Sequence, residues 1–271
     1  MSSVAAPEGA RRVGPAADAF GGTAPKFDYL LRLGDNCLVL SQQLGAWCGH
    51  GPALEEDMAL TNVALDLLGQ ARAWLSYAGE VEGAGRDEDA LAYRRDGAAF
   101  RNLLLVELPN GDYGDTLMRQ FLFDSWHQHL LSALAQSADA RIAAIAGSAA
   151  KEVRYHMERS SGLVVALGDG STQSHARMQA ALEWLWPYCN EWFEPDPVDD
   201  WCAANGLAPA AASLASAWQH SVDAVLAQAT LVRPTQTGHQ KGGRLGLHTE
   251  HLGHLLTDLQ FLQRAYPQAQ W

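Results

Sequence analysis

From Phe27 onward, apolar residues recur at the period of an α-helix, and no other feature constrains the fold as strongly. In "FDYLLRLGDNCLVLSQQLGAW", Leu30, Leu33, Val39 or Leu40, and Leu44 share one stripe at i, i+3, i+4 spacing. After the turn "CGHGP", a second helix is expected from about Leu54 to Ala78. It opens on Glu55, Glu56 and Asp57, the sign of charge that a helix N-terminus favours. The acidic turn "EGAGRDED" ends it, and a shorter segment, "DALAYRRDGAAFRNLLLVEL", leads to a turn at "PNGDYG". Two further long helices, near Asp115 to Gln136 and Asp139 to Leu167, are joined by a short polar link. Beyond "GDGS", "SHARMQAALEWLWPYCNEWF" reads as one helix, stopped by the prolines of "EPDPVDD". "PAAASLASAWQHSVDAVLAQAT" reads as another, and "TEHLGHLLTDLQFLQRAY" as the last, after the loop "RPTQTGHQKGGRLGLH". Nothing in the pattern asks for a sheet. The expectation is an all-α bundle with four long central helices and additional peripheral ones.

Each long helix carries polar residues within or beside its apolar stripe. They are Asp35, Asn36, Gln42 and Gln43 on the first, and Asn62, Asp66 and Gln70, one turn apart, on the second. The third has Asp124, His127 and Gln128; the fourth has Glu152, Tyr155 and His156. One inward acid per helix is the layout of a di-iron carboxylate bundle, in which two helices also supply Glu-x-x-His. The second helix offers Asp66-Leu-Leu-Gly69, and the fourth offers Glu152-Val-Arg-Tyr155, so neither has an imidazole at the required position. His127 follows Asp124 by three, but on the third helix. The set is two histidines short of an iron site. The favoured reading is a structural column of hydrogen bonds and ion pairs, the vestige of a metal site, comprising Asp35, Gln43, Asp66, Asp124, His127, Glu152, Tyr155 and His156. Buried acids need partners, and Arg72, Lys151, Arg154 and Arg159 are the candidate cations.

A chain of 271 residues can bury one large core, so a single helical domain is expected over 26–271, preceded by a flexible tail at 1–25. The net charge of −12 argues against a nucleic-acid partner. No apolar run reaches the length of a membrane span, and the first residues lack the apolar stretch of a signal peptide. Four scattered cysteines without CxxC spacing fit reduced thiols in a cytoplasm.

Several long stretches together resemble a known family. "LRLGDNCLVLSQQLGAWCGHGPALEEDMALTNVALDLLGQARAWLSYAGE", "NLLLVELPNGDYGDT", "KEVRYH" and "GLHTEHLG" are similar, in order, to the C subunit of the bacterial phenylacetyl-CoA epoxidase. The likeness runs from about Tyr29 to the closing Trp271. It implies a ferritin-like four-helix bundle, cytoplasmic and non-catalytic, with no cofactor or metal of its own. It also implies a homologous catalytic A subunit as partner, holding the di-iron centre and phenylacetyl-CoA, with other epoxidase subunits including the reductase nearby. The assembly would convert the aromatic ring to a 1,2-epoxide in phenylacetate degradation. The alternative is that this chain is itself a di-iron oxygenase with an atypical ligand set.

A CoA ester near such an interface needs cations for its phosphates. "YRRDGAAFRN" gathers Arg94, Arg95, Ala99, Phe100, Arg101 and Asn102, either a CoA or interface site offering bidentate donors, a ring for adenine and an amide, or, the reading favoured over it, a solvated turn paired with Asp87, Glu88 and Asp89. Lys241 and Arg244 lie among glycines in "HQKGGRLG", read as a surface loop in preference to a phosphate cradle, and Trp201 adds an aromatic surface. "LHTEHLGH" brings His248, Glu250, His251 and His254 together, better read as the start of a helix at a subunit boundary than as a metal site.

Overall fold

A computed structural model describes residues 24–235 and 239–269. The expected tail at 1–25 lies outside this range except for Ala24 and Pro25, as do 236–238, Gln270 and Trp271. The four long helices form as the periodicity requires: α1 (Pro25–Gly45), α2 (Leu54–Glu82), α5 (Tyr113–Leu134) and α6 (Ala140–Gly168). Between them lie the short α3 (Glu88–Tyr93) and α4 (Leu104–Glu107). The peripheral helices are α7 (Thr172–Leu185), α8 (Pro197–Ala204), α9 (Ala215–Gln228) and α10 (Glu250–Ala265), and no strand occurs among the described residues.

Local chemistry sets the boundaries. Pro25 occupies the first turn of α1, where its missing N–H costs nothing. Asp112 and Asp115 form a reciprocal capping box at α5, and Asp139 accepts from Arg141 N and Ile142 N to start α6. Gly83 ends α2 in a left-handed conformation. Two expectations need correcting. The helix beginning near Ser174 stops at Leu185, because Pro187 turns the chain into single 3-10 turns through Phe193. "EPDPVDD" not only stops a helix but starts one: Asp196 and Asp199 cap α8, with Pro197 in its first turn.

Packing is uneven. α1 pairs closely with α2, and α5 with α6, while α2 and α6 meet much less. A Cβ at Gly34 would lie 2.6 Å from the Leu75 side chain, so glycine is what lets α1 and α2 approach so nearly. The buried apolar residues of all these elements form one continuous core.

Candidate functional site

The polar column separates into three groups. On α1 the Asp35 carboxylate is fully buried. Arg95 reaches it from the loop after α3 with both terminal guanidinium nitrogens, one at 3.0 Å, and Arg101 N donates at 2.8 Å. Arg95 is itself buried, donates at 3.0 Å to Ala99 O and lies 4.3 Å over the Phe100 ring. Between α2 and α6, Gln70 donates to Glu152 at 2.9 Å, and Asp66 meets His156 Nε2 at 2.9 Å. On α5, Asp124 accepts from Gln120 at 2.6 Å and from Ser160 at 2.9 Å. Burial pushes the Asp124 carboxyl up to about 6, against the charge of His156 and the two hydrogen bonds. Burial pushes His127 down to about 3, with the charge of His156 acting the same way. His127 packs 4.9 Å from Phe123, and its Nδ1, like that of His156, has no protein partner among the described residues. Gln43 stands apart, donating to Glu107 O at 3.1 Å and Leu108 O at 3.0 Å.

Two sequence-based expectations fail here. Tyr155 is not part of the column: it lies on the outer side of α6 and is 56% exposed. The expected cations make no ion pair with the column either. Arg72 pairs with Glu88 at 3.2 Å, Arg159 pairs with Glu56, and Lys151 and Arg154 face solvent. The buried cation is Arg95, supplied by a loop far from α1 in sequence.

Two irons would need carboxylates and imidazoles converging at about 2 Å. Here Asp35 is taken by Arg95, and no three His, Cys, Asp or Glu side chains among the described residues are grouped to hold a metal. The column does not fit a di-iron centre.

The residues expected to meet CoA are dispersed into internal partnerships. Arg95 is committed to Asp35, and Phe100 is fully buried, so neither is free for a phosphate or an adenine. Asn102 is fully buried and donates to Glu107 at 2.8 Å. Arg101 meets Asp28 at 3.1 Å and the carbonyl oxygens of Ala98 and Phe100 at 2.8 Å. Lys241 meets Glu194 at 2.9 Å, while Arg244 meets Asp199 at 2.6 Å and Glu191 O at 2.7 Å. Arg94 is exposed, and Trp201 is half-buried on α8.

The two cationic segments do touch, as a packed knot. A Cβ at Gly243 would lie 2.1 Å from Asn102 O, and one at Gly246 would lie 2.3 Å from Ala98 O. At its centre is Glu107, fully buried, accepting from Asn102, from His248 Nδ1 at 2.7 Å and from Thr249 N at 2.6 Å. Glu191 adds a second carboxylate, accepting from Leu104 N at 3.0 Å and Gly242 N at 2.9 Å. Burial alone would push His248 down, but the hydrogen bond and charge of Glu107, with Phe100 O and Asp35, raise it. Sequence reasoning missed Glu107. Its signal was present: an acid inside the leucine run "NLLLVEL" has to be paired if that run is core. His248 belongs to this knot, whereas His251 and His254 line a concavity together with residues of α1 and α2.

Residues 18–271 match the family described as Phenylacetic acid catabolic protein. The chain is also similar to a protein of Escherichia coli (strain K12) named as the C subunit of 1,2-phenylacetyl-CoA epoxidase. The two are 50% identical over 243 residues, 90% of this chain and 98% of the relative's length.

Proposed function

The chain belongs to the phenylacetic acid catabolic protein family, and from that premise we propose that it is the non-catalytic structural subunit of a multicomponent phenylacetyl-CoA 1,2-epoxidase. In this reading it is a ferritin-like bundle that carries no cofactor. It supports a homologous catalytic A subunit, which holds the di-iron centre and the CoA ester, in a cytoplasmic assembly with the other epoxidase subunits and the reductase. The observation that carries the proposal is the buried Asp35–Arg95 ion pair. A guanidinium occupies the first-helix carboxylate that a di-iron bundle would give to metal. Of the cationic residues considered for CoA phosphates, Arg94 and Lys241 keep exposed side chains, so any contact from this chain falls to them.

The test is to purify the chain with its A subunit and count iron in each after separation. The expected result is near-stoichiometric iron with the A subunit, little with this chain, and no turnover of phenylacetyl-CoA by this chain supplied with iron and reductant. Chelator-sensitive turnover by this chain alone would establish the alternative, a di-iron oxygenase with an atypical ligand set.

A further inference from the structure

The start of α10 is held to the bundle by a carboxylate. Of the 16 residues of this helix, Leu252, Leu256 and Gln260 are buried. Thr249 stands at its N-terminus, yet its side chain caps nothing, and its hydroxyl is buried without a protein partner among the described residues. Glu107 of α4 accepts from Thr249 N instead. Ahead of the helix, the loop at 242–247 presses Gly243 onto Asn102 O and Gly246 onto Ala98 O. Between loop and helix stands His248, with a side chain 7% exposed. Its Nδ1 lies 2.7 Å from Glu107 Oε2 and its Nε2 3.1 Å from Phe100 O. Both neighbours are acceptors. A neutral imidazole has a single N–H and would turn a bare nitrogen towards an acceptor lone pair, so this geometry calls for a proton on each ring nitrogen.

Charged groups face the ring from each element around it. Glu107 touches it from α4, and Asp35 of α1, paired with Arg95, acts in the same sense. Arg101 is held by Asp28, Glu191 accepts from Leu104 N and Gly242 N, and Arg244 is paired with Asp199. On α10 itself Glu250 and His251 come next. Opening returns the imidazole to water, where its pKa is about 6.5. In the closed form burial lowers that value, and Glu107 more than restores it. A raised value means that the attachment is complete below about pH 6.5 and is lost as pH rises through the closed-state value. We propose that residues 242–256 form a strap latched by the His248 imidazolium on Glu107, and that loss of one ring proton lifts the strap off residues 98–102 while the four long helices stay folded. The latch regulates the burial of Phe100 and Asn102, both fully covered in the closed form.

The test follows hydrogen exchange of the full-length chain by mass spectrometry between about pH 6 and pH 9, each rate divided by that of an unstructured peptide at the same pH. Opening of 242–256 should be level up to about pH 6.5, then rise by up to about tenfold per pH unit until the closed-state value is passed, the slope of one released proton. The helices α1, α2, α5 and α6 should stay at least about tenfold more protected than the strap throughout, the mark of a local opening. His248→Gln has no ring proton to lose, so its strap should open to the same extent at every pH. Nitrogen-15 NMR of the wild-type chain labelled at histidine decides the matter even where that variant does not fold. Both ring nitrogens of His248 should carry protons at about pH 6, and one proton should leave above about pH 6.5. The proposal is wrong if the wild-type strap opens equally across the pH range, if strap and long helices exchange together, if the rise persists in His248→Gln, or if His248 holds a single proton at the acid end.

Discussion

At Asp35 a carboxylate with no exposure is matched by a guanidinium that is nearly as buried, and each is stranded without the other. Removing one partner of such a pair leaves an uncompensated buried charge, whereas removing both can be nearly neutral. Asp35→Ala should therefore destabilise the fold by about 3–5 kcal/mol. Combining it with Arg95→Met should recover much of that loss, because the methionine fills the space over Phe100 without a charge. Urea unfolding of the two variants decides the matter: a double variant as unstable as the single one would mean that the pair's hydrogen bonds, not its charges, hold the loop to α1. The sequence placed Asp35 in a polar column and Arg95 beside a ligand, and only the fold shows that they belong together. They lie 60 positions apart, and nothing in the intervening sequence predicts the pairing. Apolar periodicity reports which face of a helix is buried, but not which distant loop closes over a charge.

Among the elements, legibility follows the range of the forces involved. The four long helices were readable because their stripes and their caps are local, spanning a few residues each. The helix expected to run to Phe193 was misread because its apolar spacing continues past Pro187, although the backbone cannot. α8 was hidden in a stretch whose prolines read as a stop, yet Asp196, Pro197 and Asp199 are an N-cap, a first-turn proline and a capping-box partner. Asp196 also pairs with Arg32 of α1 at 2.9 Å, which ties this helix to the bundle. Asp196→Ala should lose the cap, at about 1 kcal/mol, and loosen α8 against α1. Hydrogen exchange should then speed up in 197–204 ahead of the long helices; uniform protection would show that the cap is dispensable once α8 is packed. The peripheral segments also explain why three of the residues expected at CoA are not free to meet it. Arg95, Phe100 and Asn102 are adjacent to exposed residues in sequence, but Gly243 and Gly246 allow a second loop to press onto their backbone and bury them.

For the molecule as a whole, buried and paired titratable groups set opposing pH limbs. Lys26 of α1, Tyr77 of α2 and Asp139 at the start of α6 meet at one end of the bundle, where Tyr77 donates to Asp139 at 2.7 Å. Burial would raise the Asp139 carboxyl, but Lys26 and Tyr77 outweigh it and hold it down at about 2. A depressed carboxyl contributes stability that is present above its unfolded pKa and lost as pH falls towards the folded one, here about 2 kcal/mol between pH 4 and pH 2. Asp124 and His248 have the other sign. Burial raises the Asp124 carboxyl to about 6, and Glu107 raises His248. A raised pKa contributes stability that is complete below the unfolded value and lost as pH rises through the folded one. For Asp124 that loss spans pH 4 to pH 6, and for His248 it lies above pH 6.5. Urea unfolding should therefore show stability nearly level between pH 2.5 and pH 5, where the Asp139 gain and the Asp124 loss offset one another, and lower at pH 8 than at pH 5. Asp124→Asn keeps the shape of the side chain and removes the charge, so it should stabilise the protein at pH 8 by about 1–3 kcal/mol and have little effect at pH 4. His248→Gln should flatten what remains of the alkaline limb, and Lys26→Met, which removes the charge that holds Asp139 down, should leave the Asp124 loss unopposed, so that this variant is more stable at pH 2.5 than at pH 5. An Asp124→Asn variant destabilised at every pH would mean that the Gln120 and Ser160 hydrogen bonds to an ionised carboxylate outweigh the cost of burying it. That charge would then be one the fold is built to keep.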